Sequence, residues 1–179
     1  MTSLICATNR RNARSRVVFE KVKELFRKNT SDEAHHLIDL IEIDFTLGPD
    51  QYKASGQSPA LSTIQDEALI PSDRFIFVIP EYNGGFAGMA KVFIDAVSIR
   101  KYKETFKGKK ALLIGVAEGR AGNLRGLDHI SQILMHIGVH VYPKKLPISR
   151  AHKLMENREL TDESTIKALD QLISDFLLF

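Results

Sequence analysis

One stretch constrains the chain more than any other: Arg74-Phe-Ile-Phe-Val-Ile-Pro-Glu-Tyr-Asn-Gly-Gly-Phe-Ala-Gly-Met-Ala-Lys-Val-Phe-Ile-Asp-Ala-Val-Ser98. Phe75 to Ile79 is apolar without alternation, so as a strand it is buried on both faces, the habit of a parallel sheet covered by helices on each side. Pro80 is expected to end that strand. Beyond the polar turn, Met89, Val92, Phe93, Ala96 and Val97 repeat at helical spacing and form one apolar stripe. Strand, glycine-rich loop and helix make the unit from which open α/β sheets build ligand sites, because unpaired N–H groups at the helix start face outward beyond the strand ends. Glu81-Tyr-Asn-Gly-Gly85 is therefore the first place to look for function.

The rest of the chain repeats that unit. Ser3 to Ala7 is a short apolar strand, followed by the loop Thr8-Asn-Arg-Arg-Asn-Ala-Arg-Ser15 and a helix marked by Val18, Val22, Leu25 and Phe26. Leu37 to Ile43 reads as a second strand, Phe45 to Pro59 as a long loop, and Ser62 to Ile70 as a short helix. Ala111 to Val116 is a fourth strand with the loop Ala117-Glu-Gly-Arg-Ala-Gly-Asn123. Leu127, Ile130, Leu134 and Ile137 face a helix closed by Gly138, Val139 to Tyr142 is a fifth strand, and a last helix opens at Thr161. Right-handed crossovers then give a doubly wound five-stranded parallel sheet of order 2-1-3-4-5 with helices on both faces. At 179 residues the chain is expected to form one domain, 1–179.

Composition narrows the partners. No run approaches the length of a membrane span, and the start lacks the charged, apolar and cleavage regions of a signal peptide, so a cytoplasmic protein without a membrane partner is expected. A single cysteine, Cys6, makes no internal disulfide and reads as a small buried strand residue rather than a nucleophile. The net charge is only +3, and the densest basic group, Arg10, Arg11, Arg14 and Arg16, sits in one short segment, which suits a small anion better than a nucleic acid. No metal site is expected: His35 and His36 are adjacent, and Gly138 interrupts the helix between His136 and His140.

In this topology the loops after strands 1, 3 and 4 open on one edge. The first offers hydroxyl, amide and guanidinium groups at a helix N-terminus, a setting for phosphate, although a solvated capping turn reads equally well from that segment alone. The third-strand loop offers Tyr82 as a flat wall, Asn83 as donor and acceptor, and Gly84-Gly85 for close backbone approach; a turn with no ligand is the alternative. The fourth-strand loop adds N–H groups between Gly119 and Gly122. Phosphate at one end and a planar heterocycle at the other describe a mononucleotide such as FMN. A P-loop and a Gly-x-Gly-x-x-Gly turn are both missing, and a phosphoacceptor receiver would need acidic residues where Cys6-Ala7 and Pro80 stand.

These motifs resemble the NAD(P)H-dependent FMN reductase family of flavodoxin-like oxidoreductases over nearly the whole chain. Pro80-Glu-Tyr-Asn-Gly84 matches its flavin loop, Thr8-Asn-Arg10 with Ser15 its phosphate loop, and Gly119-Arg-Ala-Gly122 its third loop. The resemblance implies bound FMN, NADPH or NADH as electron donor, and a quinone, azo compound, metal oxyanion or free flavin as acceptor, in a homodimer or homotetramer. Cofactor contacts are expected from Thr8, Asn9, Arg10, Asn12 and Ser15, with Arg14 or Arg16 nearby. Further contacts are expected from Pro80, Glu81, Tyr82, Asn83 and Gly84, and from Glu118, Gly119, Arg120 and Gly122. No catalytic side chain is expected, since the flavin carries the chemistry. Departures from the family stand at Ala7, Ala13, Gly85, Ala87 and Glu118; each missing hydroxyl donor would weaken flavin binding by about 0.5–1.5 kcal/mol. A flavin carrier, or a module of this fold without cofactor, is the competing expectation.

Overall fold

The computed structural model describes residues 1–31, 34–43, 45 and 57–179. Its elements run β1 (Thr2–Cys6), α1 (Arg14–Thr30), β2 (His35–Asp39), α2 (Pro59–Ile64), β3 (Arg74–Tyr82), β4 (Gly85–Phe86), α3 (Gly88–Ala96), α4 (Tyr102–Phe106) and β5 (Lys110–Val116). They continue with α5 (Leu124–His136), β6 (His140–Val141), β7 (Leu146–Ile148), β8 (Met155–Glu156), β9 (Glu159–Leu160) and α6 (Glu163–Leu177). The parallel sheet has the order β2-β1-β3-β5-β6, with β7 also beside β5. It is the flavodoxin-like doubly wound arrangement expected from the sequence.

Alternation along the central strands feeds two cores. Ile5, Phe75, Phe77, Ile79, Ala111 and Leu113 face one side, where α3 and α5 cover them with Phe93, Ile94, Leu127, Ile130 and Leu134. Leu4, Cys6, Ile76, Val78, Leu112 and Ile114 face the other, under α1 and α6 with Val18, Phe26, Leu169 and Phe176. Register holds the layers level, with Leu4 opposite Ile76 and Ile76 opposite Leu112. Each fully buried Phe, Leu or Ile of these layers stabilises the fold by about 1.5–3 kcal/mol.

The structure corrects several boundaries. β3 does not stop at Pro80 but continues to Tyr82, with Pro80 opposite Val116. Val78 O accepts from Ala7 N on the β1 side, and alternation places the Pro80 nitrogen on that same side, beside Ala7. A residue there other than proline would donate to Ala7 O, so the missing N–H ends the β1 pairing at Cys6 while the β5 side of the strand continues. β2 spans His35–Asp39 rather than 37–43, because the Asp39 carboxylate accepts from Ile41 N and turns the chain into a short 3-10 helix, Leu40–Glu42. α2 starts earlier than expected, with Ser58 as N-cap and Pro59 in the first turn, and continues through a π-turn over Gln65–Leu69.

The fifth strand position is shared. β6 lies beside Lys110 and Ala111, and β7 beside Ile114 to Val116, where the sequence reading placed only 139–142. Pro143 has no N–H to donate between them, and Lys144 and Lys145 turn away to Asp175 and Asp128. Of the long loop expected over 45–59, residues 46–56 lie outside the described residues. Among the described residues no helix is long and apolar enough to cross a membrane.

Candidate functional site

Beyond the carboxyl ends of β1, β3 and β5 lies a cleft of about 240 Å³. Its α1 wall includes Arg10, Asn12, Ala13, Arg14 and Ser15; its β3 wall is Pro80, Glu81 and Tyr82; its β5 wall is Val116, Ala117 and Glu118. The three loops that the sequence reading singled out thus meet at one place.

The α1 wall begins at an open helix start. Ala13 is the N-cap and supplies no side-chain bond to the first turn. Ser15, one residue into that turn, is 1 % exposed, and its Oγ has no hydrogen-bond partner among the described residues. A buried hydroxyl without a partner calls for an explanation, and an anion at a helix N-terminus supplies one. The capping alternative left open by the sequence is thereby disfavoured, since neither Asn12 nor Ser15 caps α1. Arg14 lines the cleft, whereas Arg16 turns away to pair with Asp39 at 2.5 Å. Asn9 and Arg11 are exposed, and Asn12 accepts from Arg158 Nη1 at 3.1 Å. Thr8 is fully buried; its Oγ1 accepts from Arg10 N at 3.2 Å, which shapes the loop from within.

The β3 wall is a β-hairpin. Glu81 faces Phe86 and Tyr82 faces Gly85, with Asn83 and Gly84 as the two-residue turn at φ 52° and 82°. Two consecutive positive φ values define a type I′ turn, for which Asn-Gly is the preferred pair. Glu81 Oε1 accepts from Gly84 N at 2.8 Å, so that carboxylate is committed to the turn. A Cβ at Gly84 or Gly88 would meet no atom within 4 Å, which leaves open space above this backbone for a flat group. Tyr82 joins the two walls, its hydroxyl 3.3 Å from Thr8 Oγ1.

The third wall carries charge. Glu118 Oε1 lies 2.6 Å from Arg14 Nη1 and its Oε2 2.8 Å from His152 Nδ1. The carboxylate is thus held between partners at the cleft edge rather than left facing a ligand. His152 gave no signal in the sequence, because it reaches Glu118 from a turn after β7. Gly119 lies near Glu81, its absent Cβ 3.9 Å from Oε2, and Arg120 is exposed. Gly122 stands apart from the cleft: it is buried at φ 59°, and a Cβ there would come within 2.6 Å of Pro147 O. Cys6 is fully buried beneath the sheet edge, and burial pushes its thiol up to about 12, so it is no nucleophile.

Residues present therefore suit a mononucleotide: an uncapped helix start with an unpartnered buried hydroxyl, two arginines, and an open backbone platform. The profile of the NADPH-dependent FMN reductase family matches residues 2–153. An NAD(P)H-dependent FMN reductase of Pseudomonas aeruginosa is 30% identical over 128 residues, 70% of this chain and 68% of that protein. An FMN-dependent NADH:quinone oxidoreductase of Listeria innocua is 31% identical over 112 residues, 54% of this chain and 51% of that protein. Among solved structures, an NAD(P)H:(acceptor) oxidoreductase flavoenzyme from Paracoccus denitrificans superposes with a TM-score of 0.79 at 21% identity, covering 98% of this chain and 94% of that one.

Proposed function

The chain belongs to the NADPH-dependent FMN reductase family and is an NAD(P)H-dependent FMN oxidoreductase, and on that premise we propose that its FMN lies in the cleft beyond β1, β3 and β5, serving a small diffusible acceptor. The acceptor is a quinone, an azo compound, a metal oxyanion or a second flavin. When bound, FMN supplies the site that takes hydride from the nicotinamide and returns electrons to the acceptor. The protein binds and orients. Arg10 and Arg14 offset the phosphate charge, while Ser15 Oγ and the N–H groups of the first turn of α1 donate to phosphate oxygens. Tyr82 presents the ring with a wall and the Asn83-Gly84 turn with an open backbone surface, and Gly119 and Arg120 border it from the third loop. No side chain need move a proton during hydride transfer, which fits a cleft whose carboxylates, Glu81 and Glu118, already have partners.

The observation that carries this placement is the buried, unpartnered Ser15 Oγ at an uncapped helix start. Titrating the purified chain with FMN while following flavin fluorescence tests it, followed by NADPH and NADH oxidation with each acceptor class. Saturable quenching and acceptor-dependent oxidation are expected; quenching without oxidation would return the carrier reading, and the absence of both would overturn the placement and return the cofactor-less one. Residues 1–179 act as one unit, supported by the closure of α6 onto α1 through Lys28 and Asp170 at 2.7 Å. The active form is a homodimer or homotetramer, supported by Phe86 and Met89, which stay only partly covered beside the cleft. A fully active monomer in light scattering at micromolar concentration would refute that.

A further inference from the structure

A second hairpin, β8–β9, reaches the loop ahead of α1. Its base is fixed, since Leu160 is 3 % exposed and shares a core with Val18, Val22 and Phe26 of α1. Met155 faces Leu160 and Glu156 faces Glu159, so Asn157 and Arg158 form a two-residue turn, at φ 46° and 64°. Two consecutive positive φ values again define a type I′ turn, as at Asn83-Gly84. The two turns differ at their second residue. Where the β3–β4 hairpin has glycine, this one holds an arginine in the left-handed region, at a backbone cost that glycine avoids. A residue kept in such a conformation points to something that its side chain does.

That side chain reaches the cleft wall. Arg158 Nη1 donates to Asn12 Oδ1 at 3.1 Å, joining the hairpin tip to the loop ahead of α1. Asn12 lines the cleft beside the uncapped helix start and the buried, unpartnered Ser15 Oγ. A guanidinium carries donors and no acceptor, so it decides which way the Asn12 amide lies: the oxygen faces Arg158, and the Nδ2 donors diverge from it. The opposite orientation would set donor against donor. With its oxygen engaged, what Asn12 has left for an anion in the cleft is its two N–H groups.

We propose that Arg158 is a positioning residue for the cofactor's phosphate: by holding Asn12 Oδ1 it reserves the Asn12 Nδ2 donors for the phosphate at the start of α1, and so makes the β8–β9 hairpin part of the flavin site. The proposal rests on the reading that the phosphate lies at that helix start. It accounts for an arginine in a turn that prefers glycine, because the side chain has a task that glycine cannot perform.

Titrations of the flavin-free chain with FMN, and with riboflavin, which lacks the phosphate, test it. Arg158→Gly installs the residue that the turn prefers and removes the donor. FMN affinity should fall about fivefold and riboflavin affinity should stay within about twofold. The unfolding midpoint of the flavin-free protein should hold or rise by up to about 4 °C. An arginine kept for the fold alone would instead lower stability when removed. In an Asn12→Ala background the same substitution should change FMN affinity by less than about twofold, because its effect passes through Asn12. An undiminished loss in that background, an equal loss with riboflavin, or a lower midpoint would each overturn the positioning role. Unchanged FMN affinity in Arg158→Gly, with Arg10→Ala still weakening FMN, would overturn it as well. If Arg10→Ala also binds normally, the phosphate placement fails instead.

Discussion

At its α1 end the cleft is bordered by exposed side chains, Arg10 and Asn12, around a helix start that no side chain caps. At its hairpin end it is bordered by backbone, set by two consecutive left-handed residues and braced by α5 across Gly126. The difference matches what the proposed placement of FMN asks of each end. A phosphate presents charge in every direction and tolerates adjustable partners, whereas a planar ring needs a surface at fixed height. Losses at the hairpin should therefore be steep and insensitive to salt, and losses at α1 graded and screened by salt.

The largest effect is expected from Gly85→Val. Position 85 lies outside the left-handed region, and a Cβ there meets only Tyr82 O at 3.9 Å, so folding should stay cooperative. FMN affinity should fall about 100-fold, roughly 2.7 kcal/mol. Normal binding by this variant in a fluorescence titration would remove the hairpin from the site. Gly84→Val is a poorer test despite the open space above it, because φ of 82° would strain any side chain whether or not FMN binds.

Arg10→Ala comes next. It should weaken FMN by about 1.5–3 kcal/mol, as for a charged hydrogen bond, and should flatten the salt dependence of the affinity. Unchanged affinity would place the phosphate away from Arg10. Tyr82→Phe should cost less, about 0.5–1.5 kcal/mol, since it removes only the long contact with Thr8 Oγ1 and keeps the ring. Most activity should survive in a steady-state assay; its loss would show that the hydroxyl does more than join the two loops.

The smallest effect on flavin, none, is expected from Lys109, at the opposite edge of the sheet. There Nζ donates to Leu69 O and Ile70 O, both at 2.6 Å, and burial lowers its pKa to about 8 from 10.5. The unfolded chain therefore holds more protons than the native one between about pH 8 and 10.5, so this group's penalty is full below pH 8 and relieved as pH rises. Chemical unfolding at pH 7.5 and 9.5 should show a relative gain at the higher pH that Lys109→Met lacks, with FMN affinity equal in both proteins at pH 7.5. A flavin effect at Lys109 would mean that the two edges are coupled, and the contrast between the cleft ends would need another basis.

Most of the fold was legible. The unalternating runs at 75–79 and 111–116 forced a two-sided parallel sheet, and the stripes on α1, α3, α5 and α6 named their own buried faces. What escaped was decided by contact between distant segments. β3 passed through Pro80 because β5 stays paired with it there, Pro80 opposite Val116, and the fifth strand divided at Pro143 because 146–148 returns beside Ile114 to Val116. The turn Asn83-Gly84 was legible as a turn, but that it closes a hairpin depends on Phe86 returning beside Glu81.

The sequence by itself determined the strand and helix order, the two cores, and the three loops that converge, because periodicity and turn chemistry are local and each loop carries its own polar residues. Only the tertiary structure decided which of those residues face the cleft. Ser15 was left without a partner, Glu118 was taken up by Arg14 and His152, and Gly122 was withdrawn against Pro147. The physical reason is that a side chain's availability depends on which groups lie within hydrogen-bonding reach, and those arrive from elements more than a hundred residues away, as Arg14 and Glu118 do.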